Sequence, residues 1–187
     1  MRIVLLALAG LMMLPALLLA FREGPMPNVA GGFSDPTCQM CHLDNALNAD
    51  GGVLTVTGIP AAYQPAKTYA IVVQLRRHAL RRGGFEMAAR FASGRTRGQQ
   101  AGTWRPLDDR VRIQESKNHL LQFAQHTTAG SSALVAGELT WRFEWTAPAR
   151  ASARIQFNTA ANASNDDASP LGDYIYTSTT RSAPTGN

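Results

Sequence analysis

Two cysteines and a histidine lie together near the start of the chain. Residues 38–42 read Cys-Gln-Met-Cys-His, and Cys38 and Cys41 are the only cysteines among the 187 residues. Cys-x-x-Cys-His is the attachment motif of c-type haem, in which both thiols form thioethers to the haem vinyl groups and the histidine binds the iron. The motif therefore predicts one covalent haem c, attached through Cys38 and Cys41 with His42 as the proximal ligand.

The same two cysteines allow other interpretations. A Cys38–Cys41 disulfide would form in an oxidising compartment. A zinc site would need two further ligands, and the chain has only four histidines to supply them. A thioredoxin-like redox pair is disfavoured because no βαβ pattern surrounds the motif.

A haem iron held by His42 would leave a sixth ligand to be found. His126 ends an apolar run and precedes the polar turn Thr-Thr-Ala-Gly, so it is the first candidate, although a histidine there also suits a surface loop. Met87 is the second, because a thioether binds haem iron. Its alternation with Phe85 and Phe91 equally predicts a core position. An open sixth site is the third alternative.

The N-terminus is typical of an exported protein. Arg2 precedes an apolar run over residues 3–20, which predicts a signal peptide cleaved near Ala20. An uncleaved segment of this length would instead associate the chain with a membrane. The expected location is therefore the bacterial periplasm or the exterior, with anchoring to the inner membrane if cleavage does not occur.

The charge of the chain is positive and uneven. The formal net charge is +5, and ten arginines but only three acids lie between residues 76 and 112. Such a patch could steer an acidic partner, pair with haem propionates or meet anionic lipid, while a solvated face with local ion pairs is the simpler interpretation. Nucleic acid is excluded as a partner, because the chain has an export signal and no interleaving of basic and aromatic residues.

Gly, Pro and Asn residues mark the boundaries between segments of the chain. Residues 21–34 resemble a linker. Residues 35–52 would carry the haem motif on a short helix over about residues 36–47, with Asp35 as N-cap and Pro36 at the first helical position. Residues 53–180 form the main domain and residues 181–187 a tail.

The main domain is predicted to be all-β. Apolar and polar residues alternate with period two, most regularly over residues 139–146, where Trp141 and Trp145 share a face with Leu139 and Phe143. About eight short strands separated by turn residues predict an Ig-like antiparallel β-sandwich.

Several stretches together resemble the Reeler-like (choice-of-anchor V) domains of exported bacterial proteins. The resemblance covers about residues 28–180 and implies the same Ig-like β-sandwich. Some relatives have a longer gap between the two cysteines, so the haem prediction depends on the motif of this chain and not on the resemblance. The matching stretches are residues 37–42, 63–69, 84–91, 125–130, 143–148 and 158–176.

An Asn- and Asp-rich segment over residues 162–173 precedes the last strand. Its oxygen ligands would suit calcium, but the spacing fits no EF-hand, and a loop that satisfies its own backbone is favoured. Motifs of serine hydrolases, zinc proteases and phosphate loops do not occur in the sequence.

These observations predict an exported monohaem c-type cytochrome-like protein that transfers single electrons, an electron carrier more than an enzyme. Its partner would be a redox protein or a membrane electron-transfer complex. The alternative is a non-redox extracellular binding or assembly module that has the same sandwich and a Cys38–Cys41 disulfide.

Overall fold

The computed structural model describes residues 21–150, 153–167 and 169–185. The predicted signal peptide (residues 1–20) lies outside the described residues, as do the last two residues of the predicted tail. Within the described ranges, no helix combines the length and the apolar character needed to cross a bilayer.

Ten strands in two sheets form a β-sandwich, which confirms the predicted fold class. One sheet has the strand order β1-β3-β8-β5 and the other β2-β10-β9-β4-β7-β6. All pairings are antiparallel except that of β2 with β10. The strands are β1 (Gly52–Thr57), β2 (Ala62–Tyr63), β3 (Thr68–Arg77), β4 (Arg82–Phe91), β5 (Thr103–Pro106), β6 (Val111–Glu115), β7 (Gln122–His126), β8 (Glu138–Thr146), β9 (Ile155–Ser164) and β10 (Tyr174–Pro184).

Aromatic side chains fill the space between the two sheets. The predicted alternation in β8 holds, because Trp141 and Trp145 are fully buried with the other residues of the same parity. The ring of Phe85 in β4 lies 4.7 Å from that of Trp141, and the ring of Phe157 in β9 lies 4.8 Å from that of Trp145. Contacts of this kind between inward-facing rings join the sheets into one core.

The sequence pattern does not predict most of β9, because the second half of this strand is rich in asparagine and alanine. The alternation predicts a strand only around Ile155 and Phe157, yet β9 continues to Ser164 and pairs along its length with both β4 and β10. Asparagine and alanine have low strand propensity, but a central strand is stabilised by its neighbours on both sides. The short edge strands β2 and β5 also escape the sequence pattern.

Residues 21–50 form a strap that lies across the outer face of the six-stranded sheet. The predicted linker over residues 21–34 is wrong for this reason, since Val29 and Ala30 are buried against the sheet. The predicted helix over about residues 36–47 is wrong as well, because only a single 3-10 turn, Cys38–Met40, forms there. Thr37, not Asp35, caps this turn by accepting a hydrogen bond from the Gln39 amide.

The amphipathic face that a longer helix requires is missing from the strap. Leu43 and Leu47, which a helix would place one turn apart on the same face, are 71% and 39% exposed. A short helix is marginal without an apolar face to bury. Hydrogen bonds to the sheet region hold this part of the strap instead, from the Asn48 amide to the carbonyl of Ile175 and from the Asn45 side chain to the carbonyl of Asp173.

Candidate functional site between the strap and the sheet

A cavity of about 110 Å³ lies between the strap and one end of the six-stranded sheet. Cys38, Cys41, His42 and His126 all line it, so the fold brings together four of the five side chains that the sequence nominates. The strap adds apolar wall to the cavity through Phe21, Met26, Val29 and Met40.

His42 is held in the cavity wall by a buried carboxylate. Its Nδ1 lies 2.8 Å from Oδ2 of Asp173, whose side chain is only 1% exposed. Asn162 donates from Nδ2 to the same oxygen at 2.9 Å, and the backbone N–H of Asn165 donates to Oδ1 of Asp173 at 3.3 Å. This set of contacts fixes the ring of His42 and directs its Nδ1 proton towards Asp173.

His126 is committed to backbone partners on both ring nitrogens. Its Nδ1 accepts from the Phe85 amide at 3.1 Å, so the proton of the neutral ring lies on Nε2, which is 3.3 Å from the carbonyl of Phe21. Burial has the largest effect on the pKa of His126: it lowers this pKa and keeps the ring neutral. The ring thus attaches the start of the strap to β4.

The two thiols differ in environment and remain unpaired. Cys38 is half-buried and Cys41 is exposed. Burial, followed by the charge of Glu86, raises the pKa of the Cys38 thiol to about 12. Because the thiolate is the reactive form, Cys38 is a weak nucleophile and a poor partner in thiol exchange at neutral pH.

Glu86 is a fully buried carboxyl group beneath the strap. Its Oε1 accepts from the Val29 amide and its Oε2 from the Gln125 side chain, each at 2.5 Å. Burial raises the pKa of Glu86 to about 7, although hydrogen bonds from Gln125 and from the strap backbone act in the opposite direction. The carboxyl group therefore joins the strap to β4 and β7 at the cost of burying a titratable group.

A second buried polar contact holds the strap further along β4. Arg90 is 5% exposed, forms an ion pair with Asp35 and donates to Oδ1 of Asn28 at 3.0 Å. Its guanidinium also lies 5.4 Å from the ring centre of Phe33. Glu86 and Arg90 thus both attach the strap to β4.

Met87 lies on the other side of the sheet from the cavity. It is fully buried in the core between the sheets, with the inward-facing Phe85 and Ala89 of the same strand. Met87 is therefore a core residue, which is the alternative role that its alternation with Phe85 and Phe91 predicts.

The predicted covalent haem c is wrong for this structure. Within the described ranges, no group of three or more His, Cys, Asp and Glu side chains could hold a metal ion. The cavity of about 110 Å³ is also smaller than the several hundred Å³ that cofactor pockets occupy. Of the proposed iron ligands, His42 is directed to Asp173 and His126 uses both nitrogens on backbone groups.

The Asn- and Asp-rich segment satisfies its own backbone, as the sequence favours. Asn165 Oδ1 accepts from the Asp167 amide at 3.0 Å, and Asp167 Oδ1 accepts from the Ser169 amide at 2.9 Å. Such side-chain turns use the oxygen atoms that a calcium ion would need. Asp173 differs from these, since it is buried and belongs to the cavity.

The arginines of residues 76–112 do not form one continuous patch. Several are divided between the two sheets, where acids of a neighbouring strand, of the strap or of the loop after β9 neutralise them, as the simpler interpretation of the charge predicts. The pairs are Arg76–Glu138 at 2.8 Å, Arg82–Asp166 at 2.6 Å, Arg105–Glu144 at 2.5 Å, and Arg90–Asp35.

Sequence reasoning misses the polar residues that build the site. The sequence pattern groups Asn162 and Asp173 with a loop and places Glu86 and Arg90 on the solvent face of β4. One signal is available, because Glu86 occurs in the run Gly-Gly-Phe-Glu-Met-Ala-Ala-Arg-Phe, whose outward positions are otherwise mostly small. Small residues on an outer face indicate that another segment packs closely over them.

No family model matches the chain, and no curated protein matches it either. Among solved structures, the Reelin-N domain of F-spondin has 15% identity and a TM-score of 0.48, covering 79% of this chain and 97% of that domain. A human F-spondin reeler domain has 17% identity and a TM-score of 0.46, covering 77% and 97%. A cohesin module of a Clostridium perfringens family 33 glycoside hydrolase has 10% identity and a TM-score of 0.44, covering 71% and 97%. Since these TM-scores are below 0.5, the assignment of the β-sandwich rests on the two sheets described above.

Proposed function

We propose that this chain is an exported, non-redox binding module that holds a small, largely apolar molecule in the cavity under its strap. The observation that carries the proposal is the cavity itself. It lies between the strap and the sheet, is lined by apolar side chains of the strap, and has a few fixed polar groups at one side. That combination is typical of small-molecule sites.

The size of the cavity limits the ligand. Its volume of about 110 Å³ is close to that of the engineered 150 Å³ apolar cavity that accepts benzene. A ring of this size buries about 200 Å² of surface. At about 25 cal/mol per Å², this burial favours binding by about 5 kcal/mol before the entropic cost of association. The dissociation constant of a simple hydrocarbon ring is therefore expected to be no lower than about 0.2 mM, and the entropic cost raises it further.

Export and the cysteine pair belong to the same proposal. The apolar segment after Arg2 supports secretion, where oxidation of the two thiols to a Cys38–Cys41 disulfide is favoured. A role in thiol exchange is not included, because the raised pKa of Cys38 disfavours the thiolate.

Titration of the protein with toluene, followed by calorimetry, tests the proposal. The unsubstituted protein should bind one toluene per chain, and Met26→Glu should bind it at least tenfold more weakly because a carboxylate in the cavity wall disfavours an apolar ligand. Leu134→Glu is the matched control, since Leu134 is 80% exposed and does not line the cavity. Absence of toluene binding by the folded protein, or equal weakening by both variants, would refute the proposal.

A further inference from the structure

We infer that the ligand of this cavity carries a hydroxyl group on a small ring, as phenol does, and that the hydroxyl donates a hydrogen bond to Oδ1 of Asn162. The inference rests on the proposed function, because it specifies the ligand of the same cavity. It follows from the orientation of one side-chain amide and from the kind of polar atoms beside it.

The neighbouring carboxylate determines the orientation of the Asn162 amide. Its nitrogen lies 2.9 Å from Oδ2 of Asp173, and only the NH₂ end of an amide can donate to a carboxylate. The reverse orientation would bring two acceptor oxygens together. The Oδ1 atom of Asn162 is consequently the end that remains for another partner.

That oxygen is buried and has no hydrogen-bond partner among the described residues. A buried acceptor without a partner is costly, and few polar atoms in folded proteins remain in that state. Asn162 lines the cavity, so a molecule bound there is in a position to supply the missing donor.

His42, the neighbouring polar side chain, does not supply the missing donor. Its Nδ1 faces Asp173 at 2.8 Å, and its Nε2 lies 3.4 Å from the nitrogen of the Asn162 amide. The unpartnered Oδ1 of Asn162 therefore favours a ligand with a donor group over one with only acceptors. A hydroxyl group on a ring of benzene size satisfies both the donor requirement and the volume of about 110 Å³.

Phenol, toluene and anisole together test this inference. The three have rings of the same size, but only phenol has a donor, while anisole has an oxygen without a hydrogen. The unsubstituted protein should bind phenol at least about tenfold more tightly than toluene or anisole, because a site built around a hydroxyl rejects analogues that lack it. In a cavity without a polar partner the order would reverse, since burying an unpaired hydroxyl is unfavourable.

Two variants locate the effect. Asn162→Leu should lose the preference for phenol while its affinity for toluene changes less than about threefold, and Gln99→Leu, which removes an exposed amide outside the cavity, should keep the preference. Retained toluene binding also shows that the Asn162→Leu protein is folded; if this variant does not fold, the order of the three ligands in the unsubstituted protein decides. Toluene binding without a preference for phenol, or a preference that survives Asn162→Leu, overturns the inference alone. Binding of none of the three ligands overturns the proposed function itself.

Discussion

Replacement of Gly84 by valine is expected to lower the free energy of unfolding by about 3 kcal/mol, through overpacking and the loss of hydrogen bonds. A Cβ atom on Gly84 would overlap the ring of His126. The ring cannot move aside freely, because its two nitrogens contact the Phe85 amide and the Phe21 carbonyl. A larger residue therefore displaces His126 and detaches the start of the strap. Urea denaturation of the variant and the unsubstituted protein measures the difference.

A double-mutant cycle separates this cause from a general intolerance of β4. His126→Ala alone should be destabilising, since it leaves the Phe85 amide without its acceptor. Combined with Gly84→Val, it should cost clearly less than the sum of the two single changes, because the smaller side chain leaves room for valine. Additive effects would show that the contact between Gly84 and His126 does not limit this position.

The pH dependence of stability should identify Glu86 as the titrating attachment point of the strap. Its pKa of about 7 in the folded protein lies above the ordinary value of 4.5. Below about pH 4.5 the carboxyl group is protonated in both states and burial has no ionisation penalty. Between about 4.5 and 7 the unfolded chain loses the proton first, so stability falls as pH rises. The full loss, reached above pH 7, is on the order of 3 kcal/mol.

Glu86→Gln is the matched variant, because the amide keeps an acceptor for the Val29 backbone and removes the titration. The difference in unfolding free energy between this variant and the unsubstituted protein should grow in favour of the variant as the pH rises from about 4 to about 7.5. The comparison uses this difference because His126 also affects the pH dependence of stability. The lowered pKa of His126 makes its contribution to stability fall towards acid pH, which is the opposite direction to that of Glu86. A difference that stays constant with pH would contradict the assignment.

The sandwich was predictable because its signal is local. The alternation in β8 places Trp141 and Trp145 on one face, and a strand buries that face whatever its neighbours are. The strap was not predictable in the same way. Val29 and Ala30 have no periodicity, and their burial depends on Glu86 and Arg90, which are more than 50 positions away in sequence.

The site shows the same division between local and long-range information. Residues 38–42 combine two thiols and an imidazole, and the motif that they match led to the haem prediction. The motif does not determine what surrounds these residues in the fold. His42 meets Asp173, which is 131 positions later, and the space between strap and sheet is too small for the predicted cofactor.

The methyl groups of methionine offer the most direct measurement of the central claim that the cavity under the strap binds a small apolar ring. With ¹³C-labelled methionine methyls, a toluene titration should shift the NMR signals of Met26 and Met40, which line the cavity, until they saturate. The signal of Met87 should stay in place, because it lies between the two sheets on the other side of β4. Unchanged signals of Met26 and Met40, or a shift of Met87 alone, would contradict the account.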